Sequence, residues 1–379
     1  MIRLERRLEQ PWWLSVVVPV GSLTVAFAIM AVVLAATGHD PGHTYRKLFE
    51  AGFTGHGALS ATFFSATPIL FTGLAAAAAF RMQLFNIGAE GQLYLGAVGA
   101  SWIALKLGDH GAGSTPVYVL AMCVAAGVLG ALWALIPGVL RAFARTNEII
   151  TSLMLNYVAG YLLTYLIFDS SSYWRDISTL QARAFPQGKP MPAAAEWPTF
   201  GMSIVVPLGF LIGIAAAAVL WVLYSRTRFG FEVSVIADSP RAARYAGMRT
   251  RRKILAVMAV SGGVAGLGGA SQIGDFTHTL DGSPNGLQAA AFGYTGIVVA
   301  ALGRYNPFAV CLVAVLIGGL QNAGFTLQGA DFPSGLVGVM QGIILFCALG
   351  GELLIRYRWR IRRRATTQAD TGPAPEPAR

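Results

Sequence analysis

The chain has 379 residues, of which 55% are hydrophobic and only 12% are charged, and its formal net charge is +10. Soluble domains carry about 25% charged residues, so this composition excludes an ordinary soluble protein and indicates an integral membrane protein. The basic residues flank apolar runs instead of forming a continuous surface, which argues against a nucleic-acid partner. The three cysteines lie within apolar runs without metal-ligand spacing, so we predict neither a disulfide framework nor a metal site.

The apolar runs, taken in chain order, predict an all-α polytopic membrane protein with about ten transmembrane helices. A leader at 1–13 precedes a transmembrane domain at 14–355, and a basic tail at 356–379 is expected to be disordered. The segment 37–57 is expected to loop back between the first two spans. The predicted spans cover about 14–36, 58–80, a third opening at 85, 116–140, a fifth opening at 146, 204–224, 254–273, 291–304, 307–327 and 334–355.

The distribution of basic residues predicts which side of the membrane each loop occupies. With ten spans, the 28 Lys and Arg divide 22 to 6 between the two faces, and the richer face holds both termini. Because cytoplasmic loops are enriched in Lys and Arg, we expect both termini and the loop 225–253 in the cytoplasm. The insertion 169–203 is then expected to be extracytoplasmic.

Polar residues inside two of the predicted spans suggest a transport path. FNIGAEGQLYLGA at 85–97 opens the third span, with Glu90 in its first turn and Tyr94 four residues later. These residues could form either a capped helix end or a polar lining. In the fifth span Glu148, Ser152 and Asn156 recur every four residues, so their stripe should face the bundle interior or a water-filled cavity.

For the stripe, too, helix-to-helix hydrogen bonding without substrate contact remains the alternative. Aromatic residues near the eighth span could stack on a ring, or could be ordinary packing. The candidate path residues are Glu90, Tyr94, Glu148, Ser152, Asn156, Phe292 and Tyr294. The seventh span carries Gly262 and Gly266 in GxxxG spacing, which predicts a tightly packed helix face.

The loop 225–253 contains eight Arg and Lys against two acids, and within it a short helix has both of its ends encoded. Ser239 is an N-cap residue, Pro240 suits the first helical position, and Gly247 suits the position after the end. Its small side chains Ala242, Ala243 and Ala246 should face outward and leave room for the close approach of a soluble partner. A basic loop with an incidental helical turn is the alternative. The candidate coupling residues are Ser239, Pro240, Arg241, Ala242, Ala243, Arg244, Tyr245, Ala246 and Gly247.

The sequence contains no Walker A motif, nucleophile elbow or HExxH motif, so the chain is not predicted to be an enzyme and no cofactor is expected. This leaves a self-contained carrier or a permease driven by another protein. A carrier should couple to ions through acids in the middle of the membrane, whereas Glu90 and Glu148 are expected near cytoplasmic helix ends.

Three segments, 67–97, 146–159 and 293–308, together with DSPRAARYAGM at 238–248, resemble the permease subunits of bacterial ABC importers for nucleosides and simple sugars. The NIGAEGQ motif and the long chain resemble the larger of that family's two paired permeases. The resemblance implies a bacterial inner-membrane protein that moves nucleosides, or alternatively a simple sugar such as a pentose. It also implies three kinds of partner: cytoplasmic ABC ATPase subunits, a second homologous permease, and an extracytoplasmic binding lipoprotein of the basic-membrane-protein type.

Overall fold

The computed structural model describes residues 2–6, 14–109, 113–169, 171–283, 286–327 and 335–361. Within these residues the chain forms fourteen α-helices, joined by short π-helical segments and two small two-stranded sheets. The helices are α1 Leu14–Ala36, α2 Pro41–Phe49, α3 Ala58–Phe80, α4 Ala89–Asp109, α5 Thr115–Val139, α6 Glu148–Thr164, α7 Leu180–Ala184, α8 Leu208–Arg226, α9 Arg228–Asp238, α10 Pro240–Tyr245, α11 Thr250–Ser271, α12 Phe292–Leu302, α13 Pro307–Thr326 and α14 Leu336–Arg356.

The prediction of a polytopic helical membrane protein is confirmed. In the described part of the chain, six helices are long and apolar enough to cross a membrane, namely those at Ala58–Phe80, Thr115–Ala144, Glu148–Asp169, Leu208–Arg226, Thr250–Thr277 and Pro307–Thr326. Shorter apolar helices occur within α1, α12 and α14. Helices thus occur at all ten predicted positions, but α12 has only 11 residues and is about 16 Å long, about half of a bilayer core.

The centre of the bundle is α11, which packs against α3, α4 and α5, while α3 also packs against α12 and α13. The predicted GxxxG face is used as expected. A Cβ atom placed on Gly130 of α5 would lie 2.9 Å from Cα of Gly266, and one on Gly262 would clash with Gly130. The glycines therefore allow α5 and α11 to pack backbone to backbone.

The segment 37–57 is not the loop we predict from its composition. It contains α2, and a π-helical segment at Glu50–Thr54 continues it. The side chain of Asp40 caps α2 by accepting a 2.8 Å hydrogen bond from the Gly42 N–H. The helix packs on α1, because Leu48 is buried and the Tyr45 hydroxyl donates to Phe27 O at 2.6 Å.

The expectation of a disordered tail is corrected for its first residues. Strand β4, Tyr357–Ile361, pairs antiparallel with β1, Ile2–Arg6, and this ladder joins the two ends of the chain. The rest of the leader, 7–13, and the rest of the tail, 362–379, lie outside the described residues.

The insertion 169–203 packs over the end of α11. This segment includes α7 and the strand β2, Thr199–Phe200. The strand β2 pairs antiparallel with β3, Val206–Pro207, which lies just after the segment. Trp197 N–H donates to Gly274 O at 2.9 Å, and Met191 N–H donates to His278 O at 3.0 Å. These two backbone hydrogen bonds attach the insertion to the segment 274–278, which lies at the end of α11.

Candidate functional site

The polar stripe of α6 is buried against the turn that precedes α4. The Glu148 carboxylate accepts from Arg141 Nε at 3.2 Å and, weakly, from the Phe85 N–H at 3.5 Å. Ser152 Oγ accepts from the Ile87 N–H at 3.2 Å. Both side chains therefore bond the 85–88 turn that precedes α4.

Asn156 is the residue of the stripe with the most hydrogen bonds. Its Oδ1 accepts from the Gly91 N–H at 2.9 Å, and its Nδ2 donates to Ile87 O at 2.8 Å. The same Nδ2 lies 3.3 Å from the Tyr294 hydroxyl. Asn156 thus connects α4, α6 and the first turn of α12.

Glu90 caps the N-terminus of α12 from another helix. Its carboxylate accepts from the Tyr94 hydroxyl at 2.6 Å and from the Gly293 N–H, and the Tyr294 N–H also contributes. The first N–H groups of a helix have no partner within the helix and carry a partial positive charge. A buried carboxylate at this position therefore satisfies them and is itself stabilised by them.

Two side chains satisfy the carbonyl groups on the same stretch of backbone. The Thr72 hydroxyl donates to Phe292 O at 2.8 Å, and Gln321 Nε2 donates to Ala290 O at 3.0 Å. Because Phe292 is buried, its carbonyl group needs a partner within the protein. The sequence gives little warning of Thr72, which is one of five Ser and Thr residues in α3.

A cavity of about 720 Å³ lies on the other side of this backbone stretch, between α3, α13 and the end of α11. Its lining combines aromatic rings with polar side chains: Phe64, Ser65, Gln272, Asp275, Phe276, Thr277, Asp281, Phe292, Asn322 and Phe325. Phe292 is the one predicted path residue that lines it. A ring-bearing solute of nucleoside or sugar size fits such a cavity.

Asp275 was missed because 274–286 looks like a polar loop. The structure continues α11 through a π-helical segment, Gln272–Thr277, so Asp275 lies within a candidate span and is buried. Its Oδ2 accepts from the Gly209 N–H at 3.1 Å. Asp275 lies two residues before the end of the candidate span Thr250–Thr277, at the end opposite to the loop that carries α10.

The seven predicted path residues fall into two groups. Glu90, Tyr94, Glu148, Ser152, Asn156 and Phe292 are buried. Tyr294 is the exception, because 38% of its surface is exposed. The structure thus brings Glu90, Tyr94, Asn156 and Tyr294 together and places Glu148 and Ser152 nearer the N-terminus of α6.

The short helix of the basic loop forms as predicted. Ser239 Oγ accepts from the Ala242 N–H at 3.3 Å, α10 starts at Pro240, and Gly247 has φ +73°, a left-handed conformation that favours glycine. Tyr245 is 95% exposed. Arg241, Ala242, Arg244 and Ala246 are also exposed.

Ala243 does not face outward as we expected. Its side chain is fully buried, at 0% exposure, within the main hydrophobic core. The helix therefore uses Ala243 to pack onto its own chain and presents the opposite face. This could not be read from a six-residue helix, whose inner face depends on the position of α9 and α11.

A second cavity, of about 570 Å³, lies beside α10 and is basic. Its charged lining consists of Arg228, Glu232, Arg249, Arg252 and Lys253, and Lys253 Nζ pairs with Glu232 at 2.9 Å. The surface around the exposed face of α10 is therefore suited to an acidic partner.

Comparison with known proteins identifies the family. Residues 58–349 match the family described as branched-chain amino acid transport system / permease component. The chain is 34% identical to a glucose ABC transporter permease of Haloferax volcanii, over 94% of this chain and 93% of that protein. It is 30% identical to a guanosine ABC transporter permease of Bacillus subtilis, over 86% and 91%, and 29% identical to a nucleoside ABC transporter permease of Lactococcus lactis, over 88% and 90%. No solved structure gives a significant match.

Proposed function

Because the chain belongs to the branched-chain amino acid transport system / permease component family, we propose that it is one permease of an ATP-driven importer that carries nucleosides across the bacterial inner membrane. In this proposal two cytoplasmic ABC ATPase subunits supply the energy. A second, homologous permease forms the other half of the path, and an extracytoplasmic lipoprotein delivers the substrate.

The observation that carries the proposal is the exposed, capped helix α10 beside a basic cavity. The chain contains no ATP-binding motif of its own, so a permease of this kind needs a surface that receives movement from an ATPase. Tyr245, Arg241 and Arg244 form the exposed side of α10, and the buried Ala243 anchors the helix to the bundle. Movement of α10 is thereby passed on to α9 and α11.

The orientation of the chain follows from the same proposal. The loop that carries α10 must then be cytoplasmic, in agreement with the 22 to 6 division of basic residues. The pairing of β1 with β4 supports placing both termini on one side, as ten spans require. The insertion 169–203 then faces the binding lipoprotein, and the larger cavity opens toward that side.

The substrate class rests on the relatives, two of which are a nucleoside and a guanosine permease. A simple sugar is the second candidate, and the glucose permease of Haloferax volcanii favours it. Both classes are uncharged and rich in hydroxyl groups. A nucleoside also has an aromatic base, which the phenylalanines of the larger cavity suit.

The test is to purify the tagged chain from its own host in mild detergent, to identify the proteins that copurify, and to measure uptake by cells that express the chain. We expect an ATPase and a second permease to copurify, and labelled adenosine uptake to be blocked by unlabelled nucleosides but not by ribose or glucose. Inhibition of uptake by a sugar, but not by nucleosides, would indicate that the substrate is a simple sugar. Uptake by the purified chain in lipid vesicles without an ATPase would instead support a secondary carrier.

A further inference from the structure

The outward face of α6 carries an exposed row of tyrosines. Tyr157, Tyr161 and Tyr165 are 57%, 75% and 54% exposed, and they follow one another at intervals of four residues. Residues four apart lie on the same side of a helix, so the three rings form one face. This face lies next to the buried stripe of Asn156 and was not among the features predicted from the sequence.

Two of the three tyrosines, Tyr157 and Tyr161, lie too deep to belong to an interfacial aromatic belt. The candidate span Glu148–Asp169 has 22 residues and is about 33 Å long, close to the thickness of a bilayer core. On that scale Tyr157 lies about 2 Å and Tyr161 about 4 Å from the middle of the span, whereas aromatic belts occur at the membrane–water boundaries. Only Tyr165 approaches a boundary.

The neighbouring helix α5 shows what a lipid-facing surface of this chain looks like. All exposed side chains of α5 are apolar: Pro116, Val117, Leu120, Val124, Val128, Leu132, Ile136 and Val139. The face of α6 differs, because it alternates apolar residues with three hydroxyl-bearing rings. The two faces therefore meet different surroundings.

The hydroxyl groups of this row need partners that lipid tails do not provide. Among the described residues, none of the three hydroxyls makes a hydrogen bond, although α6 packs firmly on α4 through its other side. A polar group that faces hydrocarbon without a partner is unfavourable. Water, or a solute that passes in water, supplies such partners.

The row continues into Tyr294, which is the exposed member of the polar cluster around Glu90. The Tyr294 hydroxyl accepts from Nδ2 of Asn156 at 3.3 Å, and Asn156 directly precedes Tyr157 in α6. The exposed tyrosines of α6 and α12 therefore lie on either side of Asn156, a buried residue whose amide group bonds the Tyr294 hydroxyl.

We propose that this tyrosine face, Tyr157, Tyr161, Tyr165 and Tyr294, lines the water-filled translocation path and contacts an uncharged, hydroxyl-bearing ring compound. The proposal rests on the proposed function, because it assumes that the chain forms one wall of a path. Phenol rings stack on a base or on the apolar face of a sugar, and their hydroxyls both donate and accept hydrogen bonds. The described side chains exposed between Ile150 and Tyr165 carry no charge, which suits a neutral solute.

The first experiment measures whether the face is wet. Tyr161→Cys is made in a background in which Cys123, Cys311 and Cys347 are replaced by alanine, and the complete importer is expressed in cells. A charged, membrane-impermeant methanethiosulfonate modifies a thiolate only where water reaches it, so we expect modification about tenfold faster than for Val128→Cys. Val128 is the matched control, because it is exposed on α5 and lies about 2 Å from the middle of the span Thr115–Ala144.

The second experiment measures recognition. Tyr161→Phe keeps the ring and removes the hydroxyl, and we expect it to raise the KM of adenosine uptake about three- to tenfold, as expected for one lost hydrogen bond. Tyr118→Phe, which removes a hydroxyl from a buried ring of α5, should leave KM unchanged. Adenosine should also slow the modification of Tyr161→Cys.

Modification of Tyr161→Cys at the rate of Val128→Cys overturns the inference, even if the importer carries adenosine normally. Another outcome distinguishes the tyrosine face from the proposed nucleoside substrate. If the importer carries glucose but not adenosine, and glucose slows the modification of Tyr161→Cys, the tyrosine face lines the path while the nucleoside assignment is wrong.

Discussion

Replacing Asn156 by alanine should test whether the α6 stripe is structural. The change removes bonds to the Gly91 N–H, to Ile87 O and to the Tyr294 hydroxyl, of which the first is buried and the other two are partly buried. Side-chain hydrogen bonds within membranes average about 0.6 kcal/mol, so three give a lower bound of about 2 kcal/mol. The backbone groups left without partners raise the expected loss of unfolding free energy to about 4 kcal/mol. Unfolding titrations in mixed dodecyl sulfate micelles measure this quantity.

Asn147→Ala is the control, because it truncates the same side chain on the same helix at an exposed position. Asn147 Oδ1 caps α6 by accepting from the Ile149 N–H at 3.0 Å, so its loss should cost about 1 kcal/mol. If Asn156→Ala destabilises no more than Asn147→Ala and yet abolishes uptake, the reasoning is refuted. In that case Asn156 contacts the transported molecule, and its bonds to the 85–91 segment are incidental.

Three further predictions concern the loops. Tyr245→Ala should abolish stimulation of the ATPase while the chain still inserts and folds, whereas Ala243→Glu should also destabilise the chain by placing a charge in its core; normal ATPase stimulation by Tyr245→Ala would exclude α10 as the coupling surface. Cysteines introduced at Ser178 and Ser239, in a cysteine-free background, should be labelled from opposite sides of the membrane, with position 178 outside; labelling of both from one side would remove the ten-span topology. The N–H of Ser178 lowers the pKa of Asp176 below its ordinary value of 3.8, so the ionised carboxylate should stabilise the insertion at neutral pH, and this stabilisation should be lost as the pH falls below about 4. Pepsin should then cleave the wild-type insertion faster as the pH falls, whereas the cleavage of Asp176→Asn should not show this pH dependence.

Features that depend on neighbours in the sequence were predicted well. The cap at Ser239, the start at Pro240 and the left-handed Gly247 are all encoded within nine residues, and the structure shows each of them. The apolar runs likewise predicted where the membrane helices lie, because a helix in a bilayer needs little more than length and hydropathy.

Features that depend on distant contacts were not predictable in the same way. The acid of Glu90 could be placed at a helix end, but the α12 N-terminus that it caps is about 200 residues further along the chain. Ala243 was assigned to the wrong face, because its burial is decided by the docking of α10 on the bundle. Asp275 was predicted to lie in a loop. The π-helical extension of α11 that contains it is attached to the insertion by backbone hydrogen bonds to Gly274 and His278, and the local sequence does not reveal these distant contacts.

The shortness of α12 explains why so many buried polar residues are already occupied. An 11-residue helix leaves its N-terminal backbone inside the bundle, where each free N–H and C=O group needs a partner. Glu90, Thr72 and Gln321 supply those partners. Variants of these residues should therefore lose transport through loss of folding, even if they never touch the solute. Residues that recognise the solute should show the opposite behaviour: because the hydroxyls of Tyr157 and Tyr161 make no bond within the described protein, removing them should change KM and leave the unfolding free energy unaltered. A change in KM without a change in unfolding free energy therefore identifies residues that contact the solute. Loss of uptake alone does not distinguish these residues from structural ones.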